Sequence, residues 1–163
     1  LKPSVDYTIH KNLYFEFKNY NSIIHTHSTY AIILAQLNIS PVCIGTTHAD
    51  YTTSNIPITN ELSLNSKMNN YDTELNLSIN YILKKQHHNF PFILIKDHGA
   101  LAFGESIEQT LDRSIALEFI CKTYYFCKSF KDRKNNNNLF LRIKKKFNYH
   151  FNRKNSSNKF YGQ

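Results

Sequence analysis

The stretch FPFILIK (residues 90–96) constrains the fold of this 163-residue chain more than any other, because nearly every position in it is apolar. A strand with one face in water alternates apolar and polar residues, whereas an unbroken apolar strand is covered on both faces. ALAFG (100–104) follows closely and predicts a second strand. A sheet buried on both sides needs helices on both sides, so the sequence predicts an α/β domain with helices packed on a central sheet.

Hydrophobic periodicity and turn residues predict the other elements. Two further strands are expected at 22–28 and 41–45, with a polar loop at 46–55. The predicted helices cover residues 6–19, 29–38, 69–86 and 106 to about 128.

The last predicted helix has two distinctive features. Ser106 and Gln109 fit a capping box, in which each residue satisfies the backbone N–H of the other. Four apolar residues then recur at every fourth position and predict the apolar face of an amphipathic helix: Ile107, Leu111, Ile115 and Phe119.

Length and composition indicate a single globular domain over residues 1–163, since 41% of the residues are hydrophobic. The sequence has no run of about 18 apolar residues, so no transmembrane helix is predicted. The first residues do not fit a secretion signal. The three cysteines match no disulfide framework or zinc-finger spacing and are interpreted as reduced core thiols of a cytoplasmic protein: Cys43, Cys121 and Cys127.

Charge is unevenly distributed along the chain. Residues 122–163 hold twelve Lys or Arg and one Asp, a net charge of +11, whereas residues 1–121 hold eight basic and eleven acidic residues, a net charge of −3. Aromatic residues lie among the basic ones, a pattern that nucleic-acid-binding surfaces share. Asn and Lys are abundant throughout, however, and a solvated basic face is the preferred interpretation over nucleic-acid binding.

The segment SIIHTHS carries the chemistry of greatest interest. In a strand, His25 and His27 would point to the same face, and two buried imidazoles need partners for their polar nitrogens. His98, next to Gly99 at the end of the apolar strand, would make a third nitrogen ligand, the number common in catalytic zinc sites with an open position. From spacing alone, histidines satisfied by other protein groups fit equally well.

Two carboxylates are candidates for the metal or for proton transfer: Asp6 in PSVDYT and Asp50 in HADY. The alternative for each is a helix or turn cap, a common role for Asp.

Motifs over the whole chain resemble, in order, those of the L-ribulose-5-phosphate 4-epimerases, within the class II aldolase/adducin-like superfamily. They are LKPSVDYTIH, IHTHSTYA, GTTHADY, IPIT, DHGALAFG and the terminal YGQ. The resemblance implies a three-layer fold with a mainly antiparallel sheet flanked by helices, assembled as a ring-like homotetramer. It also implies a sugar-phosphate substrate and a substantial N-terminal portion, with part of the phosphate site, that would precede Leu1.

The resemblance further implies roles for individual residues. Zn²⁺, or another divalent metal, would be held by His25, His27 and His98 with Asp6. Asp50 and Tyr161 would be the acid/base pair, supplied by the neighbouring subunit. The phosphate would contact Ser4, and Val5 stands where a second phosphate-binding serine is usual.

Three functions remain under comparison. The first is the epimerase, which would cut and re-form the C3–C4 bond of the sugar. The second is a related metal-dependent sugar-phosphate aldolase, which would release the two fragments. The third is an inactive remnant that binds through its basic C-terminal segment.

Overall fold

The computed structural model describes residues 4, 6–63, 70–85 and 90–134, the last four by their backbone alone. In chain order the elements are α1 (Tyr7–Glu16), β1 (Ser22–Thr26), α2 (Thr29–Gln36), α3 (Thr46–Ala49), α4 (Tyr71–Lys85), β2 (Phe92–Ile95), β3 (Gly99–Gly104) and α5 (Ile107–Lys134). In the described part of the chain, no helix is both long enough and apolar enough to cross a membrane.

The three strands form one antiparallel sheet in the order β1-β3-β2. In β1, His25 pairs with Leu101 of β3; in β2, Ile95 pairs with Gly99. The register therefore brings the end of β1 and the turn between β2 and β3 to the same end of the sheet.

Helices cover both faces of this sheet, as the unbroken apolar run predicted. Ile93 and Ile95 of β2 lie in one hydrophobic core with α1 and α4. Phe92 and Leu94, which alternate with them, lie in a second core with α2 and α5. The predicted fold class is confirmed: a three-layer α/β arrangement around an antiparallel sheet.

The predicted strand at 41–45 is wrong, since these residues form no strand. Val42 and Ile44 pack beside the α2–α5 core, and Cys43 is fully buried. The apolar character of the segment thus comes from packing on the helical layer, not from strand pairing. The predicted loop at 46–55 begins with the short helix α3.

The end of α2 follows the prediction. Asn38 has φ 53°, a left-handed conformation that Asn tolerates better than most residues. The backbone N–H of Ile39 reaches back to the carbonyl of Leu34 at 2.9 Å, a common closure at a helix C-terminus.

The capping box at the start of α5 is half confirmed. The backbone N–H of Gln109 donates to Ser106 Oγ at 3.2 Å. The Gln109 side chain, however, accepts from the N–H of Glu105 instead of Ser106. The helix then continues to Lys134, beyond the predicted end.

The predicted apolar face of α5 does not face the core. Leu117, Ile120, Cys121 and Tyr124 are buried instead. The four residues spaced by fours are largely exposed: Ile107 by 71%, Leu111 by 51%, Ile115 by 65% and Phe119 by 55%. They form an apolar stripe on the outer face of α5, called the α5 stripe below.

Candidate metal centre

Two histidines project from the end of β1. His25 is half-buried within the strand, and His27 is exposed just after it. Glu118 of α5 fixes the chain that follows by accepting hydrogen bonds from the backbone N–H groups of Tyr30 and Ala31. The carboxylate thus satisfies free N–H groups at the start of α2, as a cap does.

His98 reaches the same place from the turn between β2 and β3. The preceding residue, Asp97, has φ 60°, in the left-handed region, which turns the chain sharply between the paired strands. The N–H of His98 donates to the carbonyl of Ile95 at 3.0 Å and closes this turn.

Gly99 allows the rings of His25 and His27 to lie close to the β2–β3 turn. A Cβ atom at this position would lie 2.7 Å from the carbonyl oxygen of Thr26, 3.1 Å from a ring carbon of His25 and 3.2 Å from one of His27. The first distance is too short for any side chain. The close approach of the chain at Gly99 therefore requires a residue without a side chain.

The Nε2 atoms of the three histidines converge. His25 Nε2 lies 2.9 Å from His27 Nε2 and 3.2 Å from His98 Nε2, and the rings meet nearly edge to face with centroids 4.8–5.0 Å apart. Ligands about 2.05 Å from a tetrahedral metal are about 3.3 Å from one another. The spacing of these nitrogens is therefore close to that of a zinc site.

The hydrogen bond behind His25 defines its tautomer. Nδ1 lies 3.0 Å from the carbonyl oxygen of Ala100, and a carbonyl can only accept. Nδ1 therefore carries the proton, and Nε2 presents a lone pair to the cluster. Burial lowers the pKa of His25 and of His98, which favours the neutral form that a metal requires. The residues present thus fit a divalent cation.

Asp6 acts on this cluster through its charge, but its carboxylate is not among the converging ligand atoms. It is the N-cap residue of α1, although its side chain makes no capping hydrogen bond. Burial lowers the pKa values of His25 and His98, and the negative charge of Asp6 acts in the opposite direction. Ser4 lies at the surface, and its Oγ accepts a hydrogen bond from the backbone N–H of Asp6 at 3.3 Å.

Asp50 lies elsewhere, at the C-terminus of α3. The next residue, Tyr51, donates its hydroxyl proton to Asp112 of α5 at 2.7 Å. Burial raises the pKa of Tyr51, and so do that hydrogen bond and the charges of Asp112 and Asp50. The two other predicted residues, Val5 and Tyr161, lie outside the described residues.

The histidine of the HADY motif, His48, supports the fold of its own segment. His48 is buried, and its Nε2–H donates to the carbonyl of Ser54 at 3.0 Å. Burial lowers its pKa to about 4. It is therefore neutral near pH 7 and holds the loop after α3.

Sequence reasoning missed Tyr71, which also lies at the cluster. The Tyr71 hydroxyl lies 2.5 Å from His98 Nδ1. No motif or spacing in the sequence signalled this contact. Burial lowers the pKa of His10 in α1, and the charge of His25 lowers it further.

A cleft of about 290 Å³ opens beside His98. Its polar lining comes from Thr59, Tyr71, Lys96, Asp97 and His98. The ammonium group of Lys96 lies 2.9 Å from the Asp97 carboxylate, so the cleft offers both charges next to the converging nitrogens.

A family model described as Class II Aldolase and Adducin N-terminal domain matches residues 1–125. The chain therefore belongs to the class II aldolase and adducin family.

Solved structures share this fold. An L-fuculose 1-phosphate aldolase is 21% identical to this chain with a TM-score of 0.61, and the match covers 78% of this chain and 55% of the aldolase. An aldolase II superfamily protein from Pseudomonas syringae is 16% identical with a TM-score of 0.60, and the match covers 93% of this chain and 56% of that protein. The L-fuculose-1-phosphate aldolase from Thermus thermophilus is 18% identical with a TM-score of 0.55, and the match covers 80% of this chain and 63% of that enzyme. The chain thus spans a little over half the length of these structures.

Proposed function

We propose that this chain belongs to a metal-dependent L-ribulose-5-phosphate 4-epimerase, which forms D-xylulose 5-phosphate. The observation that carries the proposal is the convergence of three Nε2 atoms, with the His25 tautomer held in the form that offers a lone pair. Family membership and the motifs HTHSTYA, GTTHADY and YGQ support the sugar-phosphate chemistry. The metal would be held by His25, His27 and His98, with Asp6 beside them.

The hydrogen on C4 of this substrate is not acidic, so inversion there requires the C3–C4 bond to break. A base removes the C4 hydroxyl proton, C4 becomes the aldehyde carbon of glycolaldehyde phosphate, and the bonding electron pair passes to C3. The other fragment is then the enediolate of dihydroxyacetone. A divalent cation held by His25, His27 and His98 would supply Lewis-acid stabilisation of the negative charge on this fragment.

The aldehyde then turns its other face, the C3–C4 bond re-forms, and an acid returns a proton to the C4 oxygen. Two proton-transfer groups on opposite faces of the aldehyde suit this sequence. We assign these roles to Asp50 and Tyr161 of a neighbouring subunit. In its own chain Asp50 follows α3, and its neighbour Tyr51 donates a hydrogen bond to Asp112 of α5. The motifs HADY and YGQ, which contain the two residues, support the assignment.

Assembly into a homotetramer is part of the proposal. The α5 stripe supports it, because a contiguous exposed apolar surface commonly marks a contact with another protein. Ser4 is assigned to the phosphate end of the substrate. Val5 offers no hydroxyl there, and the loss of one hydrogen bond corresponds to about 1–2 kcal/mol of binding.

A sugar-phosphate aldolase is the second candidate, favoured by the names of two of the similar structures. Incubation of the zinc-loaded protein with L-ribulose 5-phosphate, followed by ¹³C NMR, separates the two. The epimerase yields D-xylulose 5-phosphate, whereas the aldolase yields dihydroxyacetone and glycolaldehyde phosphate. No conversion above a His27→Ala control would contradict both.

The third candidate, binding through the basic C-terminal segment, concerns residues mostly outside those described. A salt-dependent gel shift with nucleic acid, in protein that converts no sugar phosphate, would favour it.

A further inference from the structure

Tyr71 contacts the histidine cluster from behind His98. It is the first residue of α4, and its hydroxyl lies 2.5 Å from His98 Nδ1. The planes of the phenol and imidazole rings are 25° from parallel, and the ring centroids are 6.0 Å apart. The hydroxyl at the end of the phenol is therefore the part of Tyr71 that meets the outer nitrogen of His98.

The outer partners of His25 and His98 differ chemically. The Ala100 carbonyl behind His25 can only accept, so it imposes the Nδ1–H tautomer. A tyrosine hydroxyl can donate or accept. If it donates to Nδ1, the His98 proton is on Nε2, which then has no lone pair for a cation. If it accepts from Nδ1–H, Nε2 is free to bind.

We propose that Tyr71 is a positioning residue for the metal centre: it accepts a hydrogen bond from His98 Nδ1–H, orients the ring, and thereby increases the affinity of the three histidines for a divalent cation. This inference rests on the metal-binding part of the proposed function. Outer partners of histidine ligands fix their tautomer and orientation, and removing one weakens metal binding or activity by about 10–100-fold.

The packing of Tyr71 separates the role of its hydroxyl from that of its ring. The ring lies at the margin of the α1–α4 core, whose buried part from α4 is Leu75, Ile79 and Leu83. Tyr71→Phe removes the hydroxyl and keeps the ring against that core. A loss of metal affinity in this variant would therefore be due to the hydrogen bond.

Tyr81 provides the matched control. It is on the same helix but is mostly exposed, and Tyr81→Phe removes the same atom away from the cluster. Zinc dissociation constants for wild type and both variants would be measured by competition with a chromophoric chelator. Circular dichroism would confirm that all three are folded.

We expect Tyr71→Phe to weaken zinc binding by about 10–100-fold, with Tyr81→Phe unchanged. In the zinc-loaded wild type, ¹⁵N NMR should place the His98 proton on Nδ1. Equal zinc affinity in wild type and Tyr71→Phe would overturn the proposal, and so would a proton on Nε2.

Failure of the epimerase assignment would be distinguishable. Weakened zinc binding in Tyr71→Phe supports the positioning role even if the wild type converts no L-ribulose 5-phosphate, since no substrate enters the measurement. A wild-type protein that binds no zinc would overturn the metal centre and this proposal together.

Discussion

His25 Nε2 lies 2.9 Å from His27 Nε2, with the two rings nearly perpendicular. Strand geometry places both side chains on one face, but this closeness also depends on the turn at residues 95–99. That turn brings in His98, and it supplies the glycine that lets the rings of His25 and His27 lie close to it. The candidate metal centre is thus a product of both β1 and the β2–β3 turn.

Gly99→Ala should disturb this arrangement. The added Cβ would lie 2.7 Å from the Thr26 carbonyl oxygen, so the backbone or the histidine rings must move. We expect a loss of about 1–3 kcal/mol in the free energy of unfolding, together with weaker zinc binding. Gly45→Ala is the control, because a Cβ there meets nothing within 4 Å. Similar urea midpoints and zinc affinities for the two variants would contradict this account of Gly99.

His48 should make the protein less stable in mild acid. Burial lowers its pKa from 6.5 to about 4 in the folded state, so the unfolded chain binds more protons between these values. Its contribution to stability is complete above about pH 6.5 and falls as the pH drops, by about 3 kcal/mol at pH 4.

Because other histidines titrate too, the test compares slopes. Urea unfolding of wild type and His48→Gln would be followed from pH 7 to pH 4.5, with EDTA present. Gln can still donate to the Ser54 carbonyl but does not titrate, so its stability should depend less steeply on pH. Parallel curves would show that His48 is not the group responsible.

The α5 stripe could not be assigned correctly from the sequence alone. Apolar residues spaced by fours identify one side of a helix, but they do not say whether that side faces the protein's own core or its surface. The segment 41–45 failed for a related reason, since a short apolar run also suits a chain packed under helices. The unbroken apolar run at 90–96 fits only a strand covered on both faces, and that prediction is confirmed.

The site shows the same division. The i, i+2 spacing predicted the proximity of His25 and His27. His98 was a candidate third ligand from its place at the end of the apolar strand, and the resemblance implied the same set. The contact between Tyr71 and His98 could not be predicted from the sequence, because no local pattern shows that the start of α4 lies beside the β2–β3 turn. Contacts between distant segments depend on tertiary packing, which local patterns do not encode.

Ile115→Glu should reduce the oligomeric state and leave the fold intact. Ile115 is 65% exposed, so the free energy of unfolding of the subunit should change by about 0.5 kcal/mol or less, while a charge in the middle of the α5 stripe should oppose association. Light scattering after size exclusion measures the mass. Leu77→Glu, at an exposed position of α4, is the control. An unchanged mass for Ile115→Glu would exclude the stripe as the subunit contact.

Shared active sites predict complementation between two defective variants. His27→Ala and Tyr161→Phe should each be nearly inactive alone. After joint unfolding and refolding in equal amounts, about one interface in four in a cyclic ring should pair intact histidines with an intact tyrosine. Activity should return to roughly that fraction of wild type. Verified mixed oligomers without activity would mean that Tyr161 does not act in a neighbour's site.

The most direct test of the central claim is zinc K-edge X-ray absorption of the zinc-loaded protein, compared with His27→Ala. Because His25, His27 and His98 converge through Nε2, the wild-type spectrum should show three imidazole ligands with Zn–N distances of about 2.0–2.1 Å. His27→Ala should lose close to one equivalent of zinc while keeping its circular dichroism, and Thr29→Ala, at an exposed neighbouring position, should keep both. Full zinc retention by His27→Ala, or a wild-type spectrum dominated by sulfur ligands, would contradict the metal centre described.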